Sequence, residues 1–179
     1  MNDLSQTRLW AMRAAFLLLT LVILFFQLLP METTPRAWAG PDVLMCFACA
    51  WSLRRPEYVP ALGLALAFLL SDLLLQRPPG LWALLALVGC ENLKSRGRSL
   101  RDGGFAAEWL TVATILVLIM VANRVVLALL LVDIPRITLS LSELGMTLLF
   151  YPVIVAITHG LMRVRKSAPG DLDALGQRV

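Results

Sequence analysis

Residues 14–29 read AAFLLLTLVILFFQLL, an apolar run that only Thr20 and Gln27 interrupt. Residues 9–12 lengthen it, and Arg13 lies within one turn of its start, where a long basic side chain snorkels to an interface. A helix rises about 1.5 Å per residue, so roughly 20 apolar residues cross the hydrocarbon core of a bilayer. The stretch is long enough to do so. The competing reading is a secretory signal, with Ala37-Trp38-Ala39 imitating a cleavage site. The run is long for a signal core and the spacer over residues 30–36 is long as well. The rest of the chain is equally apolar, which favours a retained span.

Working outward, the whole chain of 179 residues is 59% hydrophobic and 16% charged, with a mean hydropathy of +0.77. A soluble domain carries about 25% charged residues. This composition excludes an ordinary water-soluble enzyme, a disordered chain and a free nucleic-acid binder. Three Cys and one His supply neither a disulfide framework nor an evident metal set. The length accommodates about six spans with short loops.

The predicted architecture is an all-α integral membrane protein with spans at about 9–29, 41–53, 60–76, 81–93, 105–131 and 143–162. These make one domain over residues 1–166, and residues 167–179 are expected to form a flexible tail. Pro41 suits the first turn of the second helix, and Asp42 places negative charge at its positive end. Arg77-Pro78-Pro79-Gly80 forces a turn, because this sequence cannot continue a helix. Ser140-Leu141-Ser142-Glu143 has capping-box spacing, and Pro152 predicts a kink in the sixth span. The second and fourth spans are short, so each is either a thinned crossing or a half-helix.

Lys and Arg near span ends set orientation. With the N-terminus inside, Arg8, Arg13, Arg54, Arg55, Lys94, Arg96, Arg98, Arg101, Arg163, Arg165, Lys166 and Arg178 fall on the inner face. Only Arg36, Arg77 and Arg136 fall outside. Twelve against three predicts that both termini are cytoplasmic. Trp10, Trp51 and Trp109 at inner ends, with Trp38 and Trp82 at outer ends, match an aromatic belt. The basic excess is therefore an orientation signal on the cytoplasmic face that also suits anionic membrane lipid or an acidic partner surface, and no nucleic-acid partner is expected.

Cys46-Phe47-Ala48-Cys49 has redox or metal spacing, but it lies in an apolar helix without a second ligand pair, so packing is the expected role. His159 stands alone. No catalytic set, cofactor motif or metal cluster is recognisable. Ala61, Gly63, Ala65 and Ala67, with Ala86 and Cys90, give small-residue spacings that let helices approach in lipid, within this chain or with a partner. Asp72 is the most pointed residue, since a carboxylate about one turn inside a span needs a partner. Arg124 and Asn123 stand at a comparable depth. Either Asp72 pairs with Arg124 or each side chain reaches the interface separately. Glu91 is within reach of Lys94 at i+3.

These residues together resemble the bacterial rod shape-determining protein MreD family over about residues 9–166. The pieces that carry the resemblance are Pro41-Asp42 opening the second span, Trp51 near its end and the turn residue Pro56. Gly63 early in the third span, Asp72 to Gly80 in LLSDLLLQRPPGL, and Tyr151-Pro152 followed by Arg163, Arg165 and Lys166 complete them. The turn here, with Pro78 and Pro79, is richer in Pro than the family pattern. The resemblance implies a fold similar to the substrate-binding subunits of energy-coupling-factor transporters. It also implies a non-enzymatic scaffold of the cell-elongation, peptidoglycan-synthesising machinery in the bacterial inner membrane. MreC is the implied main partner, with MreB, RodA and a class B penicillin-binding transpeptidase as others. The alternative is a small-molecule-binding membrane subunit of a transporter, which would need a polar, aromatic-lined internal pocket. Asp72, Asn123 and Arg124 are the chief polar groups the spans offer for one.

Overall fold

The computed structural model describes residues 2–29, 39–97, 100 and 104–162. The Ala37-Trp38 pair, Arg36, Arg98, Arg101 and everything from residue 163 onward lie outside the described residues, as do the expectations placed on them. The described chain forms six helices: α1 (Asn2–Leu28), α2 (Val43–Arg54), α3 (Ala61–Leu74), α4 (Leu81–Arg96), α5 (Phe105–Leu129) and α6 (Ile137–Met162). A short 3-10 turn (Pro56–Tyr58) joins α2 to α3. No strand occurs among the described residues. Three helices are long and apolar enough to cross a membrane: α1, α5 and α6.

Consecutive helices run in opposite directions. One end of the bundle gathers Arg13, Arg54 and Lys94. Arg13 Nε donates to the Glu57 carbonyl (3.0 Å), Lys94 Nζ donates to the Val59 carbonyl (2.6 Å), and Arg54 meets Glu108. The expected Glu91–Lys94 pair also forms there, at 2.6 Å. The other end gathers the α3–α4 turn, the end of α5 and the start of α6.

The core is built around α2, which packs against α1, α4 and α6. Every residue over 44–53 is buried. Phe16 of α1 stacks on Phe47 (5.3 Å between rings), and Trp51 leans on both rings. Cys46, Cys49 and Cys90 are wholly buried where α2 meets α4 and α6, in keeping with packing roles. Ala86 is buried too, while a Cβ on Gly89 would stand 2.6 Å from Ile119 of α5. The small residues of α4 thus seat its own neighbours. By contrast, α1 and α3 turn rows of Leu outward, among them Leu18, Leu21, Leu62, Leu66 and Leu73.

Twelve residues of α2 span about 18 Å, well short of a hydrocarbon core of about 30 Å. The reason is visible at its start. Residues 39–42 are non-helical, turn tightly where the Val43 N–H donates to the Pro41 carbonyl (3.0 Å), and are held against α6. The Ala39 N–H donates to Ser142 Oγ (3.1 Å), and the Asp42 N–H donates to Thr147 Oγ1 (2.9 Å). Thr147 lies ten residues into α6, so α2 begins about 15 Å down that helix. Non-helical backbone survives at membrane depth only where the protein satisfies it, and here two hydroxyls do so. Pro41 helps by having no N–H to satisfy. Pro41 therefore precedes the helix, not inside its first turn as the sequence predicts. Asp42 is the cap itself, with Oδ1 accepting from the Met45 N–H (2.9 Å).

The start of α6 also departs from expectation. Its first turn is set at Ile137, where the Arg136 carbonyl accepts from the Leu139 and Ser140 N–H groups. Ser140 is then inside the helix, and no capping box forms with Glu143. The two hydroxyls have other duties: Ser140 Oγ accepts from Arg124 and Ser142 Oγ accepts from Ala39.

Candidate functional site

The residues that stand out in the sequence fall into three tethers and one cleft. The first tether closes the α3–α4 hairpin. Asp72 is fully buried, and its Oδ2 accepts from the Gly80 N–H (3.0 Å) and the Ala83 N–H (3.1 Å). A carboxylate on one helix thus caps the N-terminus of the next, where backbone N–H groups are unpaired and the helix dipole favours negative charge. The chain between them reverses through Gln76 (φ 54°) and Gly80 (φ 88°). The Arg77 N–H returns to the Asp72 carbonyl (2.9 Å), ending α3 in a Schellman-type turn. Gly80 serves the left-handed position that a side chain would strain. Pro79 is an exposed turn residue.

Asp72 does not pair with Arg124. The carboxylate is already held by two N–H donors on α4, and Arg124 turns toward α6. Arg124 Nη1 donates to the Pro135 carbonyl (3.0 Å) and to Ser140 Oγ (3.1 Å), tying α5 to α6. Neither alternative that the sequence left open holds for Asp72, which neither pairs with Arg124 nor reaches an interface but is buried; two independent tethers form at the same end of the bundle. Asp72 Oδ1 is buried without a hydrogen-bond partner among the described residues.

The third tether lies nearer the basic end. Arg54 grips Glu108 with Nε–Oε1 at 3.0 Å and Nη2–Oε2 at 3.2 Å, and the Tyr151 hydroxyl donates to Oε1 (2.9 Å). Glu108 and Tyr151 are fully buried. Beside them, Trp109 Nε1 donates to the Leu148 carbonyl (3.1 Å). Leu148 stands four residues before Pro152, so its carbonyl is the one that Pro152 leaves without a helical partner. The Tyr151-Pro152 pair of α6 is thereby matched, group for group, by Glu108-Trp109 of α5. Glu108 and Thr147 are tethering residues that reading the sequence missed, and Ser142 stood out there only as part of a capping box. A carboxylate three residues inside an apolar helix was the available signal for Glu108, the same signal that singled out Asp72.

Gly63 stands apart at the far end of α3. A Cβ there would meet Pro60 at 3.1 Å and Leu17 of α1 at 3.3 Å, so it admits close approach of α1.

A cleft of about 430 Å³ opens where the α3–α4 turn faces the α5–α6 connection. Arg77, Trp82, Asn123, Asp133 and Glu143 line it. Arg77 lies over the Trp82 ring (5.2 Å) and meets Glu143 (3.7 Å). Trp82, Asn123, Ser140 and Glu143 also line an adjoining recess of about 60 Å³ that Asp42 and Arg124 complete. Among the described residues no group of three His, Cys, Asp or Glu is placed to hold a metal.

Compared with protein-family models, characterised proteins and solved structures, the chain matches none.

Proposed function

We propose that the chain is a six-span protein of the bacterial inner membrane, with both termini cytoplasmic, acting as a non-enzymatic scaffold of the cell-elongation machinery. On this reading it is an MreD-like subunit that binds MreC, with MreB, RodA and a class B penicillin-binding transpeptidase in the wider assembly. The observation that carries the reading is the hairpin closed by Asp72 on Gly80 and Ala83. The most specific stretch of the resemblance, residues 72–80, is one structural unit, which explains why an Asp and a Gly at that spacing belong together. The alternation of helix direction, with Arg13, Arg54 and Lys94 at one end, supports the topology. The short α2 counts as a crossing on this reading because the non-helical segment 39–42, held by Ser142 and Thr147, leads the chain on toward the start of α6.

The test is purification of the tagged chain from native membranes. MreC is expected as a stoichiometric companion. Gly80→Ala, which strains the turn, is expected to lower its recovery several-fold at matched expression, and Leu66→Ala on the exposed face of α3 is not. A wild-type preparation without MreC overturns the assignment.

The second reading, a small-molecule-binding transporter subunit, gains support from the cleft, whose Trp82, Arg77 and Glu143 supply the aromatic and polar lining it requires. Retention of a soluble ligand by the purified chain would favour it.

A further inference from the structure

The cleft has a charge pattern that the tethers leave unused. Arg124 makes its contacts through Nη1 alone, and no carboxylate stands within ion-pair distance of it among the described residues. Trp82, in the wall of both cleft and recess, has a buried indole N–H without a partner among the described residues. These are donors waiting for an acceptor. Asp42 and Glu143 enter the same recess as acceptors. Asp42 uses one oxygen for its cap, and Glu143 holds only a long, half-exposed contact to Arg77. Asp133 adds a third carboxylate, at the exposed rim. An occupant must therefore carry both a compact anion and an N–H-bearing cation. Around the cleft the surface is apolar: Leu81, Leu127 and Leu139 line it, and Leu129, Leu130 and Leu131 beyond it are exposed, Leu131 at 94%.

We propose that the cleft binds a phospholipid whose headgroup carries a primary ammonium, such as phosphatidylethanolamine. The phosphate accepts from Arg124 and the Trp82 indole. The ammonium donates to Glu143 and Asp42, and the acyl chains follow the apolar wall toward Leu131. Charge-assisted bonds at both ends of the headgroup give selectivity that a single charge cannot. A trimethylammonium group has no N–H to give, and a glycerol headgroup leaves the carboxylates without a cation. A bilayer presents such a lipid at the depth where the helices end, so no soluble ligand is required. This inference is independent of the scaffold reading, since it concerns a lipid and needs no partner protein.

The experiment is native mass spectrometry of the full chain, released from detergent with equimolar phosphatidylethanolamine, phosphatidylcholine and phosphatidylglycerol. Expected is at least a five-fold excess of the phosphatidylethanolamine adduct. Arg124→Gln should lower that adduct about ten-fold. Because Arg124 also ties α5 to α6, Glu143→Gln and the rim variant Asp133→Asn serve as variants that leave this tether intact. Together they should erase the preference for ethanolamine over choline while total lipid retention persists. Arg136→Gln, outside the cleft, should change nothing. Equal adducts for all three lipids in the wild type overturn the proposal, as does full retention in Arg124→Gln. Displacement of the lipid by O-phosphoethanolamine at equal concentration would also overturn it, reassigning the cleft to a soluble phosphoester.

Discussion

α1 and α2 are both apolar helices, yet one faces outward and the other is enclosed by protein. α1 is 27 residues long and turns Leu18, Leu21, Phe25 and Phe26 outward. α2 is 12 residues long and is buried along almost its whole length. The long helix has the length and apolar surface to cross a membrane, and a backbone that does so must remain helical because hydrocarbon cannot satisfy it. The short helix is enclosed by protein, so its ends can stop inside the bundle. Thr147 and the cap of Asp42 meet one end, and Glu108 meets Arg54 at the other. Length in this molecule thus goes with exposure: the long helix turns its apolar side chains outward and the short one is enclosed by protein.

The largest effect that breaks this contrast should come from Glu108→Ala. It strands Arg54 in the interior, and leaving one member of a buried ion pair alone costs about 3–5 kcal/mol. The melting temperature in detergent should fall steeply. Replacing Arg54 and Glu108 together by Met and Leu should recover much of the loss, and an equal loss in the double variant would mean that the pair is not the cause.

Next in size is a charge on the other helix. Leu18→Arg faces the hydrocarbon and should cost about 3 kcal/mol of insertion free energy, read as the inserted fraction in a translocation assay. Leu18→Ala should be nearly silent. If Leu18→Arg were also silent, this face of α1 would not meet lipid. A smaller loss is expected from Asp42→Ala, which removes the α2 cap and should cost about 0.5–2 kcal/mol in thermal or denaturant unfolding. An unchanged stability would show that the hydroxyls of α6 hold that end without it.

The smallest expected quantity is a coupling. Asp72→Ala and Arg124→Ala act on separate tethers, so their effects on stability should add to within about 0.5 kcal/mol. Recovery in the double variant would restore the direct pair that the geometry denies.

Much of this was legible from residues alone. The apolar runs placed all six helices near their observed positions, because hydrophobic length is a local property. The turn at Pro78-Pro79-Gly80 was legible for the same reason, since backbone chemistry decides it within a few residues. The Glu91–Lys94 contact followed from helical spacing, and Asp72 was marked as a group needing a partner. Its partner was not readable. Two N–H groups eight and eleven residues away outcompete an Arg on another helix, because the hairpin itself delivers them. The chemistry of Glu108 was equally hidden. Its worth depends on Arg54 and Tyr151, 54 and 43 residues away in sequence. The sequence by itself determined which segments are helical and apolar, and marked Asp72 as a charge that demands a partner, though it left Glu108 unmarked. Only the tertiary structure decided which partner each charge has, why α2 is allowed to be short, and that a cleft of mixed charge lies beside the hairpin. Helix formation rests on neighbours along the chain, whereas the satisfaction of a buried polar group rests on whatever the packing brings within about 3 Å.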